Sequence, residues 1–123
     1  MKTANCTATA LVLSMIGQAS VLSSPANAHA YLVDSYPSAK MHINKPLKTV
    51  RLRFSGRADA QYSTALLERE DGAVLAGQTQ PKASTEIDFP VPPLQPGRYF
   101  VHYRVLSVDG DLVEGKVDFV VEQ

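Results

Sequence analysis

Two stretches of this sequence bring metal-binding side chains together in a usable pattern. The first is His29, one residue beyond the small-x-small triplet Ala26-Asn27-Ala28. A cut after Ala28 makes His29 the N-terminus and puts a free amine and an imidazole on one residue, a chelate pair for a borderline transition metal such as copper. Their reference pKa values are about 8 and about 6.5, and both nitrogens must be deprotonated to bind. The competing reading of His29 is a frayed, exposed terminal residue. The second stretch is Asp109-Gly110-Asp111. Two carboxylates two residues apart face the same side of an extended loop, and Gly110 permits a sharp backbone. Asp-Gly is also a common hairpin dipeptide, so taken alone the loop reads as a plain turn, and its weight as a site comes from its expected proximity to His29. His42, beside Met41 in a polar stretch, and His102, in the middle of an alternating run, have no other donor at a ligand-like spacing. Both read as solvated or partly packed.

The elements that must position these groups begin after a leader. Lys2 is the only charge before His29, the run from Ala8 to Leu22 is apolar but broken by Ser14, Gly17 and Gln18, and Ala26-Asn27-Ala28 follows. This predicts a secretory signal peptide over residues 1–28, because a membrane span wants about 20 predominantly apolar residues without such breaks. Cys6, the only cysteine, leaves with it. The expected mature domain, 29–123, has 95 residues and a formal net charge of −1, which suits one domain held by packing alone, without disulfides or thiolate ligands. It lacks the concentrated positive face that nucleic acid requires. No glycine-rich phosphate loop, zinc-binding cysteine set or Ser/His/Asp arrangement can be assembled, so no enzymatic chemistry is indicated.

Alternation sets the fold class. Val50-Arg51-Leu52-Arg53-Phe54 and Thr85-Glu86-Ile87-Asp88-Phe89 have the period of two of half-wet strands. Tyr99, Val101, Tyr103 and Val105 share one face of a long strand, and Val117, Phe119 and Val121 one face of the last. Shorter runs at Ala30 to Val33, Tyr62 to Glu68 and Ala73 to Leu75 bring the count to seven, with helix competing over Ala65 to Arg69. Turn residues about every ten positions and no amphipathic helix predict an all-β, seven-stranded immunoglobulin-like Greek-key β-sandwich. In an antiparallel sandwich of seven strands each connection flips ends, an inference that an even strand count would break. The start of the first strand and the loops Ser55 to Gln61, Gly77 to Ser84 and Ser107 to Leu112 should then share one end. That places His29 beside Asp109 and Asp111, about eighty positions away.

The residues also resemble a known family, the CopC (copper resistance, CopC/YobA-type) periplasmic copper-binding proteins. The resemblance spans the whole mature chain. It rests on Ala-Asn-Ala before His29, the start His29-Ala30-Tyr31-Leu32 with Tyr36-Pro37, Val50 to Ser55, the turn Leu94-Gln95-Pro96-Gly97-Arg98-Tyr99, Tyr103 to Gly110, Gly115, and Val117 to Val121. It implies a copper(II) site built from the N-terminal histidine with an aspartate and a histidine of the last loop. His29 matches the first ligand and Asp109 the aspartate, while Asp111 stands where the family has histidine. Gly56 replaces an acid often found after the second strand's Phe-Ser, with Asp59 three residues on. Carboxylate for imidazole predicts weaker, less selective copper(II) binding. Met41 is the one methionine left in the mature chain, so a thioether cluster for copper(I) is missing.

The leading expectation is thus a non-enzymatic periplasmic copper-binding protein of copper resistance and homeostasis. Its metal ligands are His29, Asp109 and Asp111, and an inner-membrane copper transporter is its candidate partner. No stable membrane insertion follows cleavage. The alternative is a non-catalytic interaction module whose metal site has degenerated and which docks on an exported or membrane copper-transport partner. A copper oxygenase with a histidine brace needs a second well-placed histidine, which neither His42 nor His102 supplies.

Overall fold

The computed structural model describes residues 30–122. Among them are eight strands and no helix: β1 (Leu32–Tyr36), β2 (Met41–Ile43), β3 (Thr49–Ala58), β4 (Thr64–Arg69), β5 (Val74–Thr79), β6 (Ser84–Pro90), β7 (Gly97–Leu106) and β8 (Leu112–Val121). They form two sheets, β1-β3-β6 and β2-β8-β7-β4-β5, packed as a sandwich. The all-β expectation holds, with eight strands in place of seven. The added one is β2, read from the sequence as polar connection. Three residues are too few to show a period, and β2 exists because β8 supplies an edge: Met41 to Ile43 pair in parallel with Phe119 to Val121. Backbone bonds from Lys40 N–H to Asp118 O (2.6 Å) and from Glu122 N–H to Ile43 O (2.7 Å) extend that pairing.

Alternation positions the other strands as expected. On β3, Val50, Leu52, Phe54 and Ala58 are buried, while Arg51, Arg53, Ser55 and Arg57 face solvent. Ala65 and Leu67 are fully buried in β4, a period of two that rules out the competing helix. The first strand runs further than the sequence suggests. Asp34, Ser35 and Tyr36 pair with Arg53, Leu52 and Arg51, after a bulge between Leu32 and Asp34. β5 is also longer than Ala73 to Leu75, because β4 templates it from Thr64 to Glu68.

Rings fill the core between the sheets. Tyr99 and Phe119 stack at 5.7 Å between centroids, and Tyr103 meets Phe54 edge-on at 5.4 Å, both favourable aromatic geometries. The Tyr99 hydroxyl donates to Gln95 O at 2.6 Å, so a buried polar tip is satisfied four residues upstream, as in the tyrosine corner of β-sandwiches. Gly115 faces Tyr103 across β7 and β8, and a Cβ there would lie 2.6 Å from the tyrosine Cζ. The missing side chain is what lets that ring lie down. Burial raises the Tyr103 phenol above its ordinary value.

The pairing shows which loops meet. Leu32 is opposite Phe54, Ser84 opposite Ala58, Thr64 opposite both Arg104 and Thr79, and Leu106 opposite Leu112. The entry to β1 and the β3–β4, β5–β6 and β7–β8 loops therefore lie at one end, as strand parity predicts. An eighth strand leaves that result intact because β2 runs parallel to β8 and so leads away from this end, as β1 does. In the parity count β1 and β2 act as one strand that changes sheets.

Candidate metal centre

The shared end is built on buried serines. Ser63 is fully buried, and its Oγ accepts the Leu106 N–H at 3.0 Å. Asp59 N–H donates to Leu106 O (2.7 Å) and Val108 N–H to Arg57 O (3.2 Å), while Ala58 and Ser107 form an isolated bridge. The last β3 residues thereby hold the base of the β7–β8 loop. Ser107, 3% exposed, then organises the loop itself. Its Oγ accepts the N–H of Asp109 (3.2 Å) and of Asp111 (3.3 Å). Its backbone N–H donates to Asp111 O, and its carbonyl accepts the Gly110 N–H, both at 2.8 Å.

This arrangement corrects one step of the sequence argument. Residues 107–110 form a hydrogen-bonded turn rather than an extended segment, with Gly110 at a φ of 98°, where glycine is favoured. The same-side argument for the two carboxylates does not carry over. Asp109 is exposed at the turn and Asp111 is half-buried beyond it.

The chain that leads into β1 reaches the same end through β3. Tyr31 N–H donates to Ser55 Oγ at 2.9 Å and Ser55 N–H donates to Tyr31 O at 2.7 Å, while Ala30 is fully buried. His29, the first expected ligand, lies outside the described residues, one position before Ala30. Asp59 sits half-buried in the adjoining β3–β4 loop. Among the described residues, no group of three or more His, Cys, Asp and Glu side chains is placed to hold a metal ion. What the described end offers is carboxylates on an ordered turn, hard oxygen donors that suit copper(II) only beside nitrogen ligands.

The other histidines are elsewhere. His42, on β2, bonds Glu122 through Nδ1, and His102, on the outer face of β7, has Nε2 3.3 Å from Glu68 Oε1. His102 also lines a shallow cavity of about 490 Å³ with Thr64, Leu66, Arg104, Glu114 and Lys116. Arg104 donates to Glu114 there at 2.8 Å, so the charges are largely answered within the sheet. Ser55, Ser63 and Ser107 are the site-building residues that sequence reasoning missed. A serine in a polar stretch carries no local sign of which backbone it will bond.

Comparison with known proteins gives a consistent result. A family model described as the CopC domain matches residues 32–122. Protein YobA of Escherichia coli K12 is 28% identical over 99 residues, covering 77% of this chain and 80% of the relative. The crystal structure of CopC from Methylosinus trichosporium OB3b superposes with a TM-score of 0.70 at 38% identity, covering 76% of this chain and 94% of that one. PcoC, a methionine-rich copper resistance protein from Escherichia coli, superposes with a TM-score of 0.66 at 25% identity, covering 76% and 99%.

Proposed function

This chain belongs to the CopC family, and from that premise we propose that it is a non-enzymatic periplasmic copper-binding protein of copper resistance and homeostasis. It is exported by the signal peptide of residues 1–28 and cut after Ala28. The processed protein holds copper(II) through the amine and imidazole of His29, with Asp109 and Asp111 as oxygen ligands. The observation that carries this reading is the convergence at one end of the sandwich. Tyr31 is stitched to Ser55, and the same strand bridges at Ala58 to the turn that bears Asp109 and Asp111. A mature chain with Met41 as its one thioether favours copper(II) over copper(I). An inner-membrane copper transporter is the natural recipient.

The test is a copper(II) titration of the processed protein, followed by electron spin resonance. We expect a protein-bound signal that is lost in His29→Ala and when one residue is added before His29. A signal that neither change affects would overturn the reading.

One observation favours a second reading, an interaction module with a degenerate site. Asp111 stands where the family has histidine. Asp111→His separates the two. A large gain in affinity shows an intact scaffold with a weakened site, whereas no change shows that the geometry itself is lost.

A further inference from the structure

We propose that the cleft around the β2–β3 loop, at the end of the sandwich away from the acidic turn, docks an acidic extended segment of a partner protein. The proposal goes beyond the copper reading and uses neither His29 nor a metal. Its residues lie where β1 ends, where β2 hands over to β3 and where β6 leads to β7.

Pro46 and Leu47 line both of two cavities of about 270 Å³ each. Tyr36, Lys48, Thr49 and Arg51 complete one of them. Pro93, Leu94 and Val121 line the other, with Lys45 and Glu122 as its charged groups. Leu47 and Leu94 are half-buried against the core, and the Tyr36 side chain is 43% exposed. The walls are stiff. Val91 N–H donates to Lys48 O at 3.0 Å and Glu122 N–H to Ile43 O at 2.7 Å, which fastens the β2–β3 loop on both sides. Pro46, Pro92 and Pro93 fix their own φ. A preformed cleft spares its ligand the cost of ordering the receptor.

Charge selects the occupant. Elsewhere in the fold the arginines are answered in place: Arg53 by Asp34 at 3.4 Å, Arg69 by Asp71 at 2.8 Å, Arg98 by Asp118 at 2.9 Å and Arg104 by Glu114 at 2.8 Å. Lys45, Lys48 and Arg51, three cations within seven positions, form no ion pair among the described residues. Arg51 stands in register between Tyr36 on β1 and Asp88 on β6, and it makes no ion pair with Asp88. Glu122 is already taken by His42 Nδ1 at 2.5 Å. A partner carboxylate can therefore accept two parallel bonds from the Arg51 guanidinium, with Lys48 adding its charge. An apolar side chain beside that carboxylate is received by Leu47 and Leu94. A free anion would leave those apolar walls uncovered. A lipid surface is flat on this scale and meets residues that protrude, whereas these flank concavities.

The experiment is an NMR titration of the exported, copper-free protein with the synthetic peptide acetyl-Glu-Glu-Leu-Pro-Glu-Glu-amide, read from backbone amide shifts. Saturable shifts are expected at Tyr36, Leu47, Lys48, Arg51 and Leu94, with the amides of the acidic turn unmoved. The double variant Lys48→Glu/Arg51→Glu should weaken binding at least about ten-fold. Both side chains are exposed, so the variant should melt near the parent, and Lys48→Ala/Arg51→Ala should show a smaller loss in the same direction. Serine in place of the peptide's leucine should weaken binding about five- to ten-fold, and a peptide with lysine for every glutamate should not bind. No saturable shift at millimolar acidic peptide overturns the inference. So do equal binding of the basic peptide, unchanged affinity in the double variant, and shifts produced only by phosphatidylglycerol vesicles. With no metal present, these outcomes are independent of the copper titration.

Discussion

Replacing Ser107 with alanine tests the acidic turn most directly. The Oγ is almost wholly buried and accepts two backbone N–H groups, from Asp109 at 3.2 Å and Asp111 at 3.3 Å. The distances lie at and just beyond the long end of the usual range, and Asp109 is exposed, so water can replace its bond in the variant. The loss from these two bonds is therefore below twice the usual value of about 1 kcal/mol per bond, and we expect at least about 1–1.5 kcal/mol. Against a domain stability of about 5–15 kcal/mol the variant stays folded at room temperature. For a domain of this size the melting temperature should fall by about 4–10 °C. The two backbone bonds of Ser107 to Gly110 and Asp111 remain, so the turn loosens without being lost. If its carboxylates are ligands, copper(II) affinity drops about three- to ten-fold. Calorimetry, amide exchange at Asp109 and Asp111, and a copper competition titration read the three effects. Unchanged melting and exchange would refute the role of Ser107, and faster exchange with unchanged affinity would refute the carboxylates as ligands.

Other outcomes can be stated briefly. Copper(II) affinity should weaken as pH falls below about 8, where the amine of His29 protonates, and more steeply below about 6.5, where its imidazole follows; a flat profile from pH 8 to 5 would exclude both as ligands. Gly115→Ala should lower stability by about 1–3 kcal/mol, since the new methyl displaces the Tyr103 ring from Phe54, and denaturant unfolding measures it. Tyr99→Phe should cost about 1 kcal/mol by orphaning Gln95 O while leaving the stacked ring in place. The Asp118 carboxyl is held below the usual carboxylate range, first by the Arg98 hydrogen bond at 2.9 Å and then by the charge of Lys40. Its contribution to stability is present above about pH 4, the unfolded value, and is lost as pH falls through the lowered folded value. In an NMR titration the Asp118 midpoint should rise on Arg98→Ala, and an unmoved midpoint would show that the ion pair is not formed.

Much of this protein was determined by the sequence alone. The alternation of β3, β7 and β8 named their buried faces because side-chain direction reverses at every strand residue, whatever lies opposite. Strand parity placed the start of β1 beside the β7–β8 loop from connectivity, and the pairing of Leu32 with Phe54 and of Ser84 with Ala58 bears it out. Tertiary structure decided the rest. β2 exists because the edge of β8 is there to pair with, and three residues cannot announce a partner eighty positions away. Tyr103 lies flat because Gly115, opposite it on another strand, lacks a side chain. The acidic turn owes its shape to Ser107, and the chain before β1 owes its anchorage to Ser55. A hydroxyl's partner is set by which backbone the fold brings within about 3 Å, and that is a property of the assembled sandwich rather than of any local stretch.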